Sequence, residues 1–414
     1  MLAAKNSVSN RNIKANVSLP ASKSISNRLL IIKHLCRDGF HIQNLSDSDD
    51  TKTLEACLQN ISHHDVFNAG DAGTPLRFLT ALFSITPGTR ILKGSERMHE
   101  RPVGPLVEAL KSLGAKITYL EKKGYPPLSI TGKNIRGGKI SVDAGISSQF
   151  ISAILLIAPI LPEGIIVKLR NNIASASYIR MTLELMKHSG IESEWSNNII
   201  KIKSQSYVNK NYIVEPDWSA AAFWYVFAAL AEEAEIELSG LSKDSLQGDL
   251  YAAEIFGKLG VKTTFLPNSV MLTKKCVITD LLDIDFFETP DLLPAVLTAA
   301  AALKFPFHFS GLCNLSIKES NRVDAMLTEL GKFGYRFRFV NNDELFFEDF
   351  TVTPEKEIIC DSHNDHRIVM SLAPLALTGK TVIIKNAACI SKSYPGYFDD
   401  LKSVGFSVDF SGNE

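Results

Sequence analysis

The stretch Leu106-Val-Glu-Ala-Leu-Lys-Ser-Leu-Gly114-Ala-Lys-Ile-Thr-Tyr119 holds the phrase from which the fold is read. An amphipathic helix runs into a glycine, and the glycine runs into a strand of alternating polarity. The phrase returns as Met181-Thr-Leu-Glu-Leu-Met-Lys-His-Ser-Gly190-Ile-Glu-Ser-Glu-Trp and as Tyr251-Ala-Ala-Glu-Ile-Phe-Gly-Lys-Leu-Gly260-Val-Lys-Thr-Thr-Phe. Two further copies end on Gly334-Tyr-Arg-Phe-Arg-Phe and Gly405-Phe-Ser-Val-Asp-Phe. The five glycines lie 76, 70, 74 and 71 residues apart. Each suits the left-handed residue that ends a helix, and each following run alternates like a half-buried strand. Residues 51–61 read as a sixth copy that has lost its glycine.

A fixed period means repeated supersecondary units. This one exceeds any solenoid repeat, so each unit holds several elements. Between the copies lie runs that are apolar nearly all round, at 26–35, 75–83, 149–160, 219–230, 292–303 and 367–377. Such runs are buried helices. Six buried and six amphipathic helices with intervening strands predict an α/β fold of two lobes. Each lobe has three units, with helices at the core and sheets outside. The boundary falls at Val214-Glu215-Pro216-Asp217, where a strand-like run meets a proline. The first nineteen residues either join the first lobe or precede a second crossing at Leu19-Pro20-Ala21.

Composition narrows the class. The chain has 414 residues, 45% of them hydrophobic, and a net charge of −1. Nucleic-acid binders usually carry a basic excess, so none is expected as a partner. None of the six cysteines forms a C-x-x-C pair or stands at zinc spacing with histidines. They read as reduced thiols of a cytosolic protein. Residues 1–16 are polar and hold no signal-peptide apolar region. The longest apolar run, 151–161, is too short for a bilayer and contains Pro159. A soluble, cytoplasmic protein without a membrane partner is expected.

The chemistry sits at the starts of the buried helices. Ser22-Lys23-Ser24-Ile25-Ser26-Asn27-Arg28 places hydroxyls and two cations where backbone N–H groups are unpaired, and Ser22 or Ser24 can cap the helix. Such a start captures phosphate or carboxylate. Asn68-Ala-Gly-Asp71-Ala-Gly73-Thr74-Pro75-Leu76-Arg77 repeats the device, with Thr74 suited to the cap and Pro75 to the first helical position. Ser147-Ser148-Gln149 opens a third helix with two hydroxyls and an amide. In the second half, Asn314-Leu-Ser-Ile-Lys318-Glu319-Ser320-Asn321-Arg322 and Asn364-Asp365-His366-Arg367 lead into helices. Arg101 and Lys392 flank turns. Convergence of these starts would gather Lys23, Arg28, Arg77, Arg101, Lys318, Arg322, Arg367 and Lys392 around a small ligand with several negative charges. No Walker motif and no magnesium-binding aspartate cluster is visible, so a reaction without metal or other cofactor is expected.

These motifs, in this order, resemble the 5-enolpyruvylshikimate-3-phosphate synthase family of enolpyruvyl transferases. The resemblance rests on Ser-Lys-Ser-Ile-Ser-Asn-Arg at 22–28, Ala-Gly-Thr at 72–74 with Arg77, and Glu-Arg-Pro at 100–102. Ser-Ser-Gln-Phe at 147–150, Pro-Asp at 290–291, Lys-Glu-Ser at 318–320 with Arg322, Asn-Asp-His-Arg at 364–367, and Lys392 complete it. It implies two lobes of threefold pseudo-symmetry, each of three βαβαββ units forming an inside-out α/β barrel, that close on substrates. It implies a double crossing, with 20–214 as one lobe and 1–19 plus 215–414 as the other. It implies transfer of the enolpyruvyl group of phosphoenolpyruvate to the 5-hydroxyl of shikimate-3-phosphate by a monomer, in the shikimate pathway. Matching positions give shikimate-3-phosphate contacts at Ser24, Arg28, Ser147, Ser148, Gln149, Ser175, Tyr178, Asp291, Asn314 and Lys318. Phosphoenolpyruvate contacts fall on Lys23, Gly73, Arg101, Gln149, Arg322, Arg367 and Lys392, with Arg77 near the same pocket. Asp291 is the expected base and Glu319 the proton donor, with Lys23 assisting.

The chain departs from the family pattern at three places. Asp71 stands where Asn is usual, Ser175-Ala176-Ser177-Tyr178 lacks a Lys-Pro between Ser and Tyr, and Asn321 replaces an Asp beside Arg322. The transferase acting on UDP-N-acetylglucosamine is the near alternative, but it carries a reactive cysteine on a loop that here, between Arg77 and Arg101, has none. An RNA cyclase of similar repeated fold would need a histidine nucleophile, and a phosphate-binding module a broad basic face.

Overall fold

All five glycines of the repeated phrase take the left-handed backbone, with φ between 85° and 99°. At Gly334 space makes the same demand, since a Cβ would lie 1.9 Å from the Thr351 carbonyl oxygen. The computed structural model describes residues 2–36, 40–276 and 280–411. Its contacts divide the chain into two compact units, Ala21–Val214 and Met1–Pro20 with Glu215–Glu414. The first division falls one residue beyond the position read from sequence, because the Pro20 carbonyl accepts from the Asp217 amide at 2.9 Å.

Apart from the single turn Glu96–His99, the α-helices described in the 21–214 unit are α1 (Lys23–Leu35), α2 (Asp49–Gln59), α3 (Gly73–Ile85), α4 (Gly104–Ser112), α5 (Ser148–Ile157) and α6 (Ala176–His188). The second repeat shows the plan. Strand Val66–Asn68 leads into α3, which returns as the parallel strand Gly88–Lys93. Then α4 leads to the hairpin Lys116–Tyr119 and Leu128–Gly132, whose second strand pairs antiparallel with Gly88–Lys93. The sheet order is therefore first, second, fourth, third, and it recurs in the strands around α5 and α6. A helix joining parallel neighbours must lie over the sheet. That places α1, α3 and α5 against one another at the centre of the unit.

The repeat containing α1 and α2 is reduced. Among the described residues its sheet has only Ile42–Gln43 paired with Tyr212–Ile213. Here α2 ends on Asn60 at φ −100° rather than on a left-handed glycine. The chain then passes to the next repeat's first strand without a hairpin. The copy that lacks the glycine is thus the repeat that lacks the hairpin.

In the other unit α7 (Trp218–Leu230), α9 (Leu293–Ala302) and α11 (His366–Leu372) are the buried helices. Helices α8 (Ala252–Lys258), α10 (Arg322–Gly331) and α12 (Tyr397–Ser403) are the amphipathic ones. Each of three four-stranded sheets repeats the plan. Two borrow from the N-terminus: Asn12–Ser18 is the parallel partner of Glu233–Ser239, and Ala3–Ser7 sits between Thr381–Lys385 and Ser407–Ser411. Helix α7 is apolar on every side, and residues 220–229 are all buried. No helix among the described residues is long and apolar enough to cross a membrane.

Two helix starts differ from the sequence expectation. Ser22 is the N-cap of α1, but its side chain makes no cap hydrogen bond; its carbonyl accepts from the Ser26 amide instead. Helix α3 begins at Gly73 with Ala72 as its cap, so Thr74 and Pro75 lie inside the first turn. The glycine follows an extended Ala72 and turns helical two residues earlier than a threonine cap would allow.

Candidate active site

In the 21–214 unit the cations gather where α1 and α3 begin. Lys23 is the first residue of α1, and its ammonium lies 3.4 Å from Asp50 of α2. One turn on, Arg28 is almost wholly buried. Its Nε donates to Thr182 Oγ1 (2.7 Å), and Nη1 donates to the Ser24 carbonyl (2.8 Å). Nη2 donates to Ser152 Oγ (3.2 Å) and to the Tyr178 carbonyl (3.4 Å). The rings of Phe78 and Tyr178 flank the guanidinium at 5.6 and 5.7 Å. No partner is a carboxylate. Burial lowers the Arg28 pKa to about 10, which leaves the group charged at neutral pH. A buried cation held only by dipoles is electrostatically unbalanced, and its environment favours an anion.

Beside the start of α3 lie Arg77, from the helix itself, and Arg101, from the connection before α4. Arg77 folds back on the helix start, where Nη1 donates to the Gly73 carbonyl at 3.0 Å and Nη2 to the Pro102 carbonyl at 3.2 Å. A Cβ on Gly73 would lie 2.7 Å from Arg77 Nη1 and 2.9 Å from both terminal nitrogens of Arg101. Only glycine lets both guanidiniums rest against this turn. Asp71 accepts from the Ser95 hydroxyl, which answers the unusual acid with a neutral donor.

The remaining predicted positions of this unit lie on α5 and α6. Ser147 caps α5 by accepting from the Gln149 amide at 3.3 Å, and Ser148 is buried beside it. Ser175 precedes α6 in the left-handed region at φ 52° and is buried. Tyr178 reaches Arg28 through both its carbonyl and its ring.

The other unit answers with cations and carboxylates together. Arg322, the first residue of α10, is 1% exposed. Its Nε donates to Asp365 Oδ2 at 2.9 Å, Nη1 to Asp291 Oδ1 at 2.9 Å and Nη2 to Glu319 Oε2 at 2.7 Å. Burial opposes its charge, but the three carboxylates prevail and hold its pKa well above the usual arginine value. Arg367 reaches the same aspartate, with Nη2 3.0 Å from Asp291 Oδ2 and Nη1 donating to the Asp291 carbonyl. Lys318 Nζ lies 3.9 Å from Asp291 Oδ1. Burial pushes the Asp291 carboxyl up, yet Arg367, Lys318 and Arg322 outweigh it and hold the group well below the carboxylate range. Lys318 itself is lowered, chiefly by burial. Lys392 donates to the Asn364 carbonyl at 2.8 Å. Asn314 lies half-buried in the turn Cys313–Ile317 that precedes Lys318. Asn321 donates to Asp324.

Asp291 sits in the turn Pro290–Leu292, whose N-cap is Thr289, so its carboxylate serves the cations and not a helix start. Beside this cluster Asp249 is buried and accepts from Ser219 Oγ. Burial and the nearby Asp291 raise its pKa to about 7. Among the described residues no group of three or more His, Cys, Asp or Glu could hold a metal ion.

Sequence reading missed the residues that hold these cations. Ser152 was visible only as a hydroxyl within an apolar helix, and Thr182 only as one within an amphipathic helix. Asp50 was one of an acidic pair opening α2. Asp365 lies inside the motif Asn364-Asp365-His366-Arg367, without a role until Arg322 is placed.

The helix starts thus carry clustered cations on a repeated βαβαββ scaffold, and solved structures of the same fold include enolpyruvyl transferases. The fold matches EPSP synthase from Acinetobacter baumannii with a TM-score of 0.77 over all of both chains at 21% identity. It matches the enolpyruvyl transferase NikO from Streptomyces tendae at 0.74 and 13% identity, covering 100% of this chain and 99% of that one. Sequence carries the assignment further. The profile of the EPSP synthase family (3-phosphoshikimate 1-carboxyvinyltransferase) matches residues 8–401. The 3-phosphoshikimate 1-carboxyvinyltransferase of Bacteroides fragilis is 42% identical over 397 residues, covering 96% of each chain. This chain belongs to the EPSP synthase family, and it is an enzyme of the carboxyvinyl transferase class.

Proposed function

We infer that the two charge clusters serve transfer of the enolpyruvyl group of phosphoenolpyruvate to the 5-hydroxyl of shikimate-3-phosphate, with release of phosphate. The reaction is a step of the shikimate pathway of aromatic amino acid biosynthesis. The observation that carries the residue roles is the single carboxylate Asp291 held by Arg322, Arg367 and Lys318.

In this reading the 21–214 unit gives Ser24, Arg28, Ser147, Ser148, Gln149, Ser175 and Tyr178 to shikimate-3-phosphate. It gives Lys23, Gly73, Arg77, Arg101 and Gln149 to phosphoenolpyruvate. The other unit gives Asp291, Asn314 and Lys318 to the first substrate and Arg322, Arg367 and Lys392 to the second. The units act as the two lobes of a cytoplasmic monomer.

Chemistry proceeds by addition and elimination. The 5-hydroxyl loses its proton to Asp291 as its oxygen bonds C2 of phosphoenolpyruvate, and C3 gains a proton from Glu319, assisted by Lys23. The tetrahedral ketal phosphate then loses phosphate as the methyl group gives a proton back, restoring the double bond. A carboxylate far below neutral is a weak base. Three cations hold Asp291 there, and the reading assigns all three to substrate anions. Phosphate and carboxylate groups that claim Arg367, Lys318 and Arg322 weaken that hold and raise the basicity of Asp291 when both substrates are bound. Anionic intermediates meet preorganised cations, which stabilise developing charge with little reorganisation.

The test is phosphate release from phosphoenolpyruvate with and without shikimate-3-phosphate, on wild type and Asp291→Asn. Release that depends on shikimate-3-phosphate, and falls by roughly 10²–10⁴ in the variant, is expected, since asparagine keeps the acceptor but takes no proton. Release indifferent to shikimate-3-phosphate overturns the substrate assignment. Full turnover by the variant overturns the role of Asp291.

A further inference from the structure

Glu329 is a buried carboxylate that the proposed reaction does not use. It lies on α10, seven residues after Arg322, so both project from one face about two turns apart. Its side chain is 1% exposed. Oε1 pairs with His363 Nε2 at 2.9 Å. Oε2 accepts from the Asp361 amide at 3.1 Å and from Lys332 Nζ at 2.6 Å.

Two of those contacts, His363 and the Asp361 amide, fall on the segment that feeds α11. Strand Glu357–Asp361 ends there, and α11 starts with Asp365 as its cap, the Arg367 amide donating to Asp365 Oδ1 at 2.9 Å. Between them His363 and Asn364 both take the left-handed region, at φ 50° and 55°. Asparagine tolerates that conformation, whereas histidine does so at a cost. Two such residues in succession persist only where their surroundings over-determine them. Here Glu329 anchors the segment's start, and Arg322 with Ser320 Oγ anchors Asp365 at its end. Lys392 reaches the carbonyl of Asn364 between the anchors.

We propose that Glu329, through its pair with His363, is a positioning residue that sets the segment 361–367 and thereby the placement of Asp365, Arg367 and Lys392. One helix, α10, then registers the proposed phosphoenolpyruvate cations against Asp291: directly through Arg322, and at two turns' distance through Glu329. The proposal rests on the residue roles given above. A small displacement at a reacting centre is worth up to about 10²-fold in rate, so a remote anchor is visible in kinetics.

The experiment compares Glu329→Gln and His363→Asn with wild type in steady-state kinetics against each substrate. The glutamine keeps the shape and an acceptor for the Asp361 amide, and the asparagine keeps the left-handed turn while removing the ring. His308→Asn is the control. His308 also pairs with two carboxylates, Asp283 at 2.9 Å and Glu344 at 3.3 Å, on the strands Leu282–Asp285 and Glu344–Phe350. Expected for both test variants is a roughly 10-fold to 100-fold lower kcat. A raised KM for phosphoenolpyruvate accompanies it, with the KM for shikimate-3-phosphate within twofold. The control moves thermal stability alone. If the test variants keep kcat and both KM values and lose only stability, as the control does, the positioning role is overturned. Asp291→Asn, assayed beside them, separates the two readings. Full turnover by that variant is a failure of the residue roles, whereas its loss with unimpaired Glu329→Gln is a failure of this inference alone.

Discussion

Arg28 and Arg322 are both buried guanidiniums at helix starts, and their surroundings are opposite. Arg28 donates to two hydroxyls and two carbonyls and carries a lowered pKa. Arg322 donates to three carboxylates and carries a raised one. The first arrangement leaves a positive charge with no carboxylate among its hydrogen-bond partners, which suits the anion-binding role proposed for it. The second uses the charge to fix acids in place, leaving anion binding to compete with protein carboxylates. One sequence feature, an arginine in the first two turns of a helix, therefore divides into a proposed receptor and an organiser according to what the neighbouring helices present.

Removing the organiser has the larger consequence. Arg322→Met leaves Asp291, Glu319 and Asp365 without their shared partner, and uncompensated buried charge typically costs about 3–5 kcal/mol. Urea unfolding at pH 7.5 measures it. Orphaned carboxylates bind protons more tightly in the folded state, so part of the loss returns at pH 5. A loss below about 1 kcal/mol at both pH values breaks the contrast, since Arg322 would then be no more than a surface pair.

Asp249 sharpens it from the acid side. This carboxylate of the same region has a pKa raised to about 7, first by burial and then by Asp291, while the unfolded chain holds it near 4. Between those values the unfolded state releases a proton that the folded state keeps, so stability is lost as pH rises from 4 through 7. Asp249→Asn removes that loss. The variant should match wild type at pH 4.5 and exceed it by pH 7.5, the gap growing by at most about 1.4 kcal/mol per pH unit. Parallel stability curves for the two proteins would show that Asp249 is ionised throughout.

How far the sequence discloses this depends on the range of each constraint. The helix-glycine-strand phrase is local, so Gly114 through Gly405 mark their helix ends without reference to the rest of the chain. The reduced first repeat is likewise legible, since its missing glycine accompanies its missing hairpin. Caps at Ser22 and Thr74 misled because a two-residue shift in the start of α3, or a carbonyl in place of a hydroxyl at α1, changes no composition. The cations at the candidate site could be picked out because they sit in short runs beside helix starts. Their partners could not: Thr182 stands 154 residues from Arg28 and Asp365 stands 43 from Arg322, and only the packing of the repeats chooses between them.

Removing the receptor should spare the fold and cost the ligand. Arg28→Gln deletes an unbalanced charge and keeps a donor for the hydroxyl cage, so unfolding stability changes by no more than about 1 kcal/mol. Charge-assisted hydrogen bonds to an anion are worth about 1.5–3 kcal/mol, so shikimate-3-phosphate affinity falls roughly 10-fold to 100-fold. Inorganic phosphate should raise the melting temperature of wild type more than that of the variant, because a ligand stabilises only the state it binds. Equal thermal shifts in the two proteins remove Arg28 from the anion site, and a stability loss as large as that of Arg322→Met erases the distinction between the two arginines.

The smallest expected effect tests placement with no change of charge. Gly73→Ala puts a methyl group 2.7 Å from Arg77 Nη1 and 2.9 Å from Arg101 Nη1 and Nη2. All three atoms are the ends of long side chains, so they can swing away and the backbone need not move. The fold should keep its stability, in contrast to a clash against backbone. What changes is where two cations present themselves, at the turn the reading gives to phosphoenolpyruvate. Displacement of a few tenths of an ångström weakens charge-assisted contacts by about 1 kcal/mol. The KM for phosphoenolpyruvate should therefore rise roughly fivefold while that for shikimate-3-phosphate holds, because Arg28 and its hydroxyl cage lie on α1, α5 and α6 and are untouched. Equal rises in both values would mean that the two anion sites of this unit are one. No rise in either would mean that the cations beside Gly73 do not meet a substrate at all, and that the unit binds anions through Arg28 alone.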